Sequence, residues 1–373
     1  MSASTAHEPL SGIRVLDFST LLPGPMATLF LAEAGAEVLK IERPPEGDPM
    51  RRFEPLVGGT SALYSILNRG KRAVSANLKD RRVRDHVLEL MSQADVVVEQ
   101  FRPGVMDRLG LGYEVARARN PELVYCSISG WGPSGLASTR AGHDLNFQAE
   151  SGLLGSVLGS DASQHLPPAL VGDLAGGMYP AVVNILMALL RRNTTGSGCR
   201  IEVGMLPSLR LFAYASIATH EVTGQWPSPN STQETGASAR YNVYRTSDDR
   251  YIAVAALEDR FWNRFCDLVG LPEAVRISSG LDPTVIDTVA AAIGEHSAEH
   301  WAPLTMDPEA CCSLVSTFAE SARVWPLPDD RWVALAEREL SAVPIPLMPS
   351  LLTSEQHAAA PSLETSLESL AFS

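Results

Sequence analysis

The chain has 373 residues, 45% of them hydrophobic and 20% charged, with a formal net charge of −13. That length exceeds what one core usually needs and predicts two domains. The acidic balance argues against a nucleic-acid or anionic-membrane surface, and the ordinary composition fits a soluble globular enzyme.

In chain order, Met1 to Pro9 is polar and shows no basic region followed by an apolar stretch, so no secretory signal is expected. A βαβ unit follows. Ile13 to Phe18 reads as a strand, Pro23-Gly24-Pro25 breaks it and starts a helix closed by Gly35, and Ala36 to Glu42 is the next strand. A helix ending near Val87 to Met91 leads into strand Ala94 to Glu99, and Leu123 to Ile128 is another strand. Strands alternating with helices predict an α/β fold: a Rossmann-like parallel sheet with helices on both faces and ligands at the carboxyl ends of the strands. The G-x-G-x-x-G fingerprint is absent after the first strand, so a nicotinamide or flavin cofactor is not expected.

Met178 to Leu190 is the longest apolar run. It is too short to span a membrane and reads as a buried helix. Asn193 to Gly198 is a turn, and Gln225 to Thr232 is a polar connector. A smaller α/β domain follows, with strands around Arg240 to Arg245 and Tyr251 to Leu257, then a helix from Arg260 to Val269 ended by Gly270. The C-terminal third reads as helices anchored by Trp301, Trp325 and Trp332, with a weakly ordered tail from His357 to Ser373. The domain expectation is thus a large unit over 1–195, a linker over 196–235, a small unit over 236–325 and a C-terminal return over 326–373. The five cysteines, Cys126, Cys199, Cys266, Cys311 and Cys312, are odd in number and lack C-x-x-C spacing. They read as reduced thiols in a cytoplasmic protein without a metal site.

Two short motifs carry the chemistry. Ala141 to Phe147 holds His143 and Asp144, and Val171 to Gly177 holds Asp173. An imidazole and a carboxylate beside flexible turns can serve as two proton-transfer groups at one carbon. Taken singly, each also has an ordinary structural reading. Asp173 at the mouth of an apolar helix can be an N-cap, His143 a hydrogen-bonded histidine, and Asp144 a turn residue. A basic cluster, Asn68-Arg69-Gly70-Lys71-Arg72, lies downstream of Arg51 and Arg52 and could meet a phosphorylated ligand despite the net charge.

Together these segments resemble the family III coenzyme A transferases, and within them the α-methylacyl-CoA racemase branch. Leu10 to Phe18 with Pro23-Gly24-Pro25 looks like the family's first strand and turn, and Val38 to Pro44 its second strand. Asn68 to Arg72 and Glu99-Gln100-Phe101-Arg102-Pro103-Gly104-Val105 match its coenzyme A segments. The resemblance runs to about residue 355. It implies the interlocked family fold, an interlocked homodimer, and an acyl-CoA substrate with coenzyme A as part of it and no further cofactor.

The resemblance also implies roles. Transferases use an aspartate at the position of Asp173 as a nucleophile, whereas the racemases use it as an acid/base partnered by a histidine at the position of His143. Glu258, in Tyr251 to Glu258, falls where a glutamate supports that histidine. Arg43, Arg69, Lys71, Arg72 and Arg102 are candidates for the coenzyme A phosphates, with Asp144 beside them as a binding candidate. Backbone N–H groups near Gly176 and Gly177, where the missing side chains permit close approach, are candidates for stabilising an enolate oxygen. The expected activity is racemisation or epimerisation at the carbon α to a thioester. The rivals are an acyl-CoA:carboxylate transferase using Asp173, and a homologue that binds an acyl thioester without turnover.

Several positions depart from the racemase pattern. They are Asn77, Phe147, Pro207, the Gly236 to Tyr241 segment, a longer stretch over 46–67 that looks transferase-like, and a shortened C-terminal return after Pro344-Ile345-Pro346-Leu347. Their clustering near the expected acyl pocket points to an unusual substrate or to a repurposed activity on the same scaffold.

Overall fold

The computed structural model describes residues 8–135, 137–157, 166–167, 169–278, 281–326, 332–335, 338–353, 359–365 and 370–372. The chain divides into two compact units. The first comprises 1–151, 167–211 and 327–373, and the second 152–166 and 212–326. The stretch 212–235, expected as linker, therefore clusters with the second unit.

The first unit is built on a seven-stranded parallel sheet. From edge to edge the strands are Leu363–Glu364, Arg72–Ser75, Glu37–Glu42, Arg14–Asp17, Val96–Glu99, Val124–Ser129 and Cys199–Gly204. In the centre, Val15 pairs with Val38 on one side and Val96 on the other. Val96, Val97 and Val98 are fully buried, as a strand covered on both faces requires. The first crossover helix, Pro23–Glu33, has proline in its first turn, and Gly35 beyond its end adopts φ 98°. Helix Arg81–Gln93 is capped by Asp80, whose carboxylate accepts from the N–H of Arg82 at 2.8 Å.

The second unit has a three-stranded antiparallel sheet in the order Cys312–Leu314, Tyr251–Ala255, Tyr241–Arg245. Helices Asp259–Val269, Pro283–Gly294 and Ala298–Thr305 pack with it around Trp262, Phe265, Val289, Ile293 and Trp301.

Four expectations change. The apolar run at Met178 to Leu190 is part of a continuous helix over Val171–Thr195, interrupted by a π-helical turn at Leu174–Met178. By length and composition this 25-residue helix could cross a membrane. It is not buried all round: Ala181, Ile185 and Leu189 face the core, while Val183, Met187 and Leu190 are exposed. That four-residue spacing marks a helix with one buried stripe.

Trp325 is 77% exposed rather than a core anchor, and Trp332 is half-buried in a strand, Trp332–Leu335, paired with Arg338–Ser341. The alternation of buried Val333 and Leu335 with exposed Ala334 is a strand period, so the C-terminal third is not purely helical. Of the tail from His357 to Ser373, only 359–365 and 370–372 fall in the described residues, and these are docked. Leu363 and Glu364 pair with Ala73 and Val74, Leu370 is fully buried, and Arg72 donates to the Ala371 carbonyl at 2.7 Å.

Candidate active site

The carboxyl end of the parallel sheet carries the site. After strand Val124–Ser129 the chain turns through Gly130-Trp131-Gly132 and returns as Ala141 to His143, which leads into helix Asp144–Ser151. Phe147 anchors that helix, with its ring edge-on to Trp131 at 5.1 Å. Gly142 makes the packing possible, because a Cβ there would stand 2.9 Å from the Trp131 ring and 3.0 Å from Phe147. His143 sits at the helix entry. Its N–H donates to Asn146 Oδ1 at 3.0 Å, and its carbonyl accepts from the Asn146 N–H at 2.8 Å. The backbone is held from both sides while the imidazole is exposed. It lines a cleft of about 270 Å³ with Gln100, Arg102, Trp131, Arg140 and Met205.

Asp173 is the third residue of the Val171–Thr195 helix, and its carboxylate makes no N-cap hydrogen bond. The N-cap reading is therefore replaced. Its backbone N–H donates to Oδ1 of Asp144 at 3.0 Å. Burial raises the Asp173 carboxyl to about 6, the Asp144 charge adds to the rise, and the nearby His143 opposes it. Asp173 is half-buried and is not part of the cleft lining, whereas His143 is.

Asp144 points inward. It is 5% exposed, and Oδ2 accepts from the Gln148 amide at 2.5 Å while Oδ1 holds Asp173. Gly176 and Gly177 do permit close approach, but to protein: a Cβ on Gly176 would lie 2.6 Å from the Met205 carbonyl oxygen, and one on Gly177 3.0 Å from Pro23. They pack the π-helical turn against Met205–Leu209, so the expectation that they open the backbone to an enolate is corrected. Single π-turns inside α-helices recur at functional sites, and this one follows directly on Asp173.

The basic candidates separate by burial. Lys71 is enclosed, with Nζ 2.7 Å from the Pro25 carbonyl, 2.8 Å from Thr28 Oγ1, 2.9 Å from Asn68 Oδ1 and 3.3 Å from Asp17. Burial lowers its ammonium to about 7, while Asp17 is held at about 2, where Lys40 and Lys71 overcome its desolvation. Arg69 is buried against Glu33 at 2.6 Å and donates to the Val343 carbonyl. Arg72 ties down the tail through Ala371 and lies 3.9 Å from Glu364. These three spend their donors on the fold. Arg43 and Arg102 are exposed, and Arg102 lines the cleft.

Glu258 belongs to the second unit, exposed at the entry of helix Asp259–Val269 without capping it. Among the described residues no cluster of three His, Cys, Asp or Glu could hold a metal ion.

Sequence reasoning missed three features. Trp131 and Arg140 form one wall of the cleft, with the guanidinium 4.3 Å over the indole. Gln100 accepts from the Gly24 N–H at 3.2 Å and so joins the Pro23-Gly24-Pro25 turn to the cleft. Glu99 is buried at its strand end, which raises its carboxyl to about 6 despite bonds from the Ser127 hydroxyl and the Phe101 N–H. For Glu99, Gln100 and Trp131 the available signal was their position at or just after the end of a predicted strand; Arg140 offered none.

The model of the family described as CoA-transferase family III matches residues 10–364. The chain is 33% identical over 311 residues to an acetyl-CoA:oxalate CoA-transferase of Acetobacter aceti, covering 79% of this chain and 77% of that protein. It is 32% identical over 315 residues to the human α-methylacyl-CoA racemase, covering 83% and 78%. To the human succinyl-CoA:glutarate CoA-transferase it is 35% identical over 269 residues, which span 72% of this chain and 61% of that protein. Among solved structures, Rv3272 from Mycobacterium tuberculosis superposes with a TM-score of 0.78 at 26% identity, covering 95% of this chain and 96% of the other.

Proposed function

Since this chain belongs to family III of the CoA-transferases, we propose that it is an acyl-CoA racemase or epimerase working by 1,1-proton transfer at the carbon α to the thioester. The observation that carries this reading is that His143 lies exposed on the cleft wall while Asp173, its carboxyl raised to about 6 by burial, is tied through its backbone N–H to Asp144, the residue after His143. Inversion needs one group to remove the α-proton and another to return it on the opposite face. A carboxyl raised to about 6 holds its proton more readily than an ordinary aspartate and is suited to act as an acid as well as a base. Such a transfer moves no electrons to an acceptor, so activity should survive a chelator and require no nicotinamide or flavin.

In this reading the exposed Arg43 and Arg102 meet the coenzyme A phosphates, and Glu258 is the third candidate by family position. A homodimer is part of the same proposal. Its support is the apolar surface the chain leaves open, including Leu211, Phe212, Tyr214 and Val222. Light scattering should then return about twice the 40.1 kDa chain mass.

The deciding experiment is a panel of 2-methylacyl-CoAs in D₂O, scored for α-deuteration and for loss of optical purity. No α-exchange with any member would end the racemase reading. The second reading is an acyl-CoA:carboxylate CoA-transferase, favoured by the transferases among the relatives and by the 46–67 segment. There Asp173 attacks the thioester, and hydroxylamine or borohydride should trap an adduct on it. In the racemase, mass spectrometry finds Asp173 unmodified.

A further inference from the structure

The inward-facing carboxylate of Asp144 is left without a task by the proton-transfer scheme. It is buried at 5% exposure, yet it is not paired with a cation among its described contacts. Both oxygens accept: Oδ1 from the Asp173 backbone N–H at 3.0 Å, and Oδ2 from the Gln148 side-chain amide at 2.5 Å. An all-acceptor pattern suits the ionised form of a carboxyl group. The close approach is built in at Gly172, where a Cβ would stand 2.9 Å from Asp144 Oδ1.

We propose that Asp144 is a positioning residue for Asp173: one oxygen fixes the Asp173 backbone, and its negative charge is held against the Asp173 carboxyl. The proposal rests on the racemase reading for its purpose, since two bases must share a proton about equally in both directions. With Asp144 Oδ1 3.0 Å from the Asp173 backbone nitrogen, its like charge makes ionisation of Asp173 harder, adding to the effect of burial.

The surroundings leave Asp144 as the group that can do this. His143, at the head of the helix that carries Asp144, acts in the opposite sense. The Met205–Leu209 segment, packed against both helices, contains no titratable side chain. On strand Cys199–Gly204, Arg200 and Glu202 are paired with each other at 2.7 Å. Glu33 of the Pro23–Glu33 helix is bound to Arg69. Farther along its own helix, Tyr179 meets Phe30 edge-on at 5.9 Å.

Two variants separate charge from position. Asp144→Asn keeps an Oδ1 acceptor for the Asp173 N–H and removes the charge, and Gln148 can rotate its amide to meet the new N–H₂. Asp144→Ala removes both. The first readout is the pH at which water-soluble carbodiimide stops labelling Asp173, followed by mass spectrometry, because only the protonated carboxyl is activated. The second is the acid limb of kcat/KM for α-deuterium exchange.

Asp144→Asn should lower both midpoints by about one unit, the scale of a neighbouring like charge, with no loss of melting temperature at neutral pH. Asp144→Ala should also lose exchange activity by on the order of 10-fold or more through misplacement of the base. A labelling midpoint in Asp144→Asn that stays within 0.2 units of the parent protein's (about 0.3 kcal/mol at 1.36 kcal/mol per unit) overturns the proposal. The labelling needs no turnover. A shifted midpoint in a protein that never exchanges an α-proton would sustain the Asp144 role and remove the racemase reading.

Discussion

The indole N–H of Trp131 donates to the main-chain carbonyl of Arg140, 3.1 Å away, while the guanidinium of Arg140 lies 4.3 Å over the Trp131 ring. The two residues lock the ends of the 131–140 loop together three positions before His143. Trp131→Phe keeps an aromatic ring beside Phe147 but removes the hydrogen bond and the outer part of the indole, so it should cost about 1–2 kcal/mol. Trp131→Ala also opens the space beside Phe147 and should cost about 3–5 kcal/mol. Urea denaturation of both variants measures this. Equal losses would show that the carbonyl bond, rather than the ring, closes the loop.

Lys71 and Arg102 should fail in different ways. Replacing Lys71 by alanine strands the buried Asp17 with weaker partners, at a cost of about 3–5 kcal/mol. Arg102→Ala should leave the melting temperature in place and raise KM for acyl-CoA. A Lys71 variant of normal stability with a raised KM would return that lysine to the phosphate site.

Asp173 burdens the fold above about pH 6. Its folded-state proton affinity, about 6, exceeds the ordinary 3.8, so the folded chain binds this proton more tightly than the unfolded chain does. The group's contribution to stability therefore falls as pH rises from about 4 to 6 and stays low above that window. Two units correspond to roughly 3 kcal/mol, which partial exposure reduces to about 1–2 kcal/mol. Asp173→Asn should raise stability by that amount at pH 7.5 and by nothing at pH 4. Urea midpoints at the two pH values decide it, and an equal gain at both would contradict the raised affinity.

The two-base scheme predicts directional losses. His143→Ala should abolish racemisation and still exchange the α-proton of the enantiomer that presents it to Asp173, and Asp173→Ala should show the mirror pattern. Each loss should be on the order of 10²-fold or more. Near-normal racemisation by His143→Ala would leave the imidazole without a chemical role.

The docked tail contributes to stability. Leu370 is fully buried in the core of the sheet unit, so Leu370→Ala should cost about 2–5 kcal/mol in denaturant titrations. A neutral result would mean that the tail leaves the sheet readily in solution.

The first half of the fold was legible because its signals are local. Val96-Val97-Val98 reads as a covered strand, and Pro23 and Gly35 bracket a helix whatever surrounds them. The tail was not, because Leu363 and Leu370 gain order from partners almost three hundred residues away, and nothing in Ala/Ser/Leu/Glu-rich chain reports such a partner. The site divided along the same line. His143 and Asp173 stood out by residue type in glycine-rich motifs, and the tie between those motifs runs through Asp144, whose Oδ1 accepts from the Asp173 N–H. Lys71 looked like a phosphate ligand because a basic run in sequence is indistinguishable from one facing solvent. Its enclosure by Pro25, Thr28 and Asn68 is a property of the packed sheet.

The pairing of Leu363–Glu364 with Arg72–Ser75 bears on how the chain reaches its folded state. Closing that edge joins segments 299 positions apart, as the Arg72–Ala371 hydrogen bond shows, and the whole second unit lies in the intervening chain. Loop closure over such a span is entropically costly and slow, so the Arg72–Ser75 strand should be among the last to gain its outer neighbour. Until then its unpaired N–H and C=O groups are open to any extended segment, including the same strand of another chain. The productivity of refolding should therefore depend on protein concentration through this one edge.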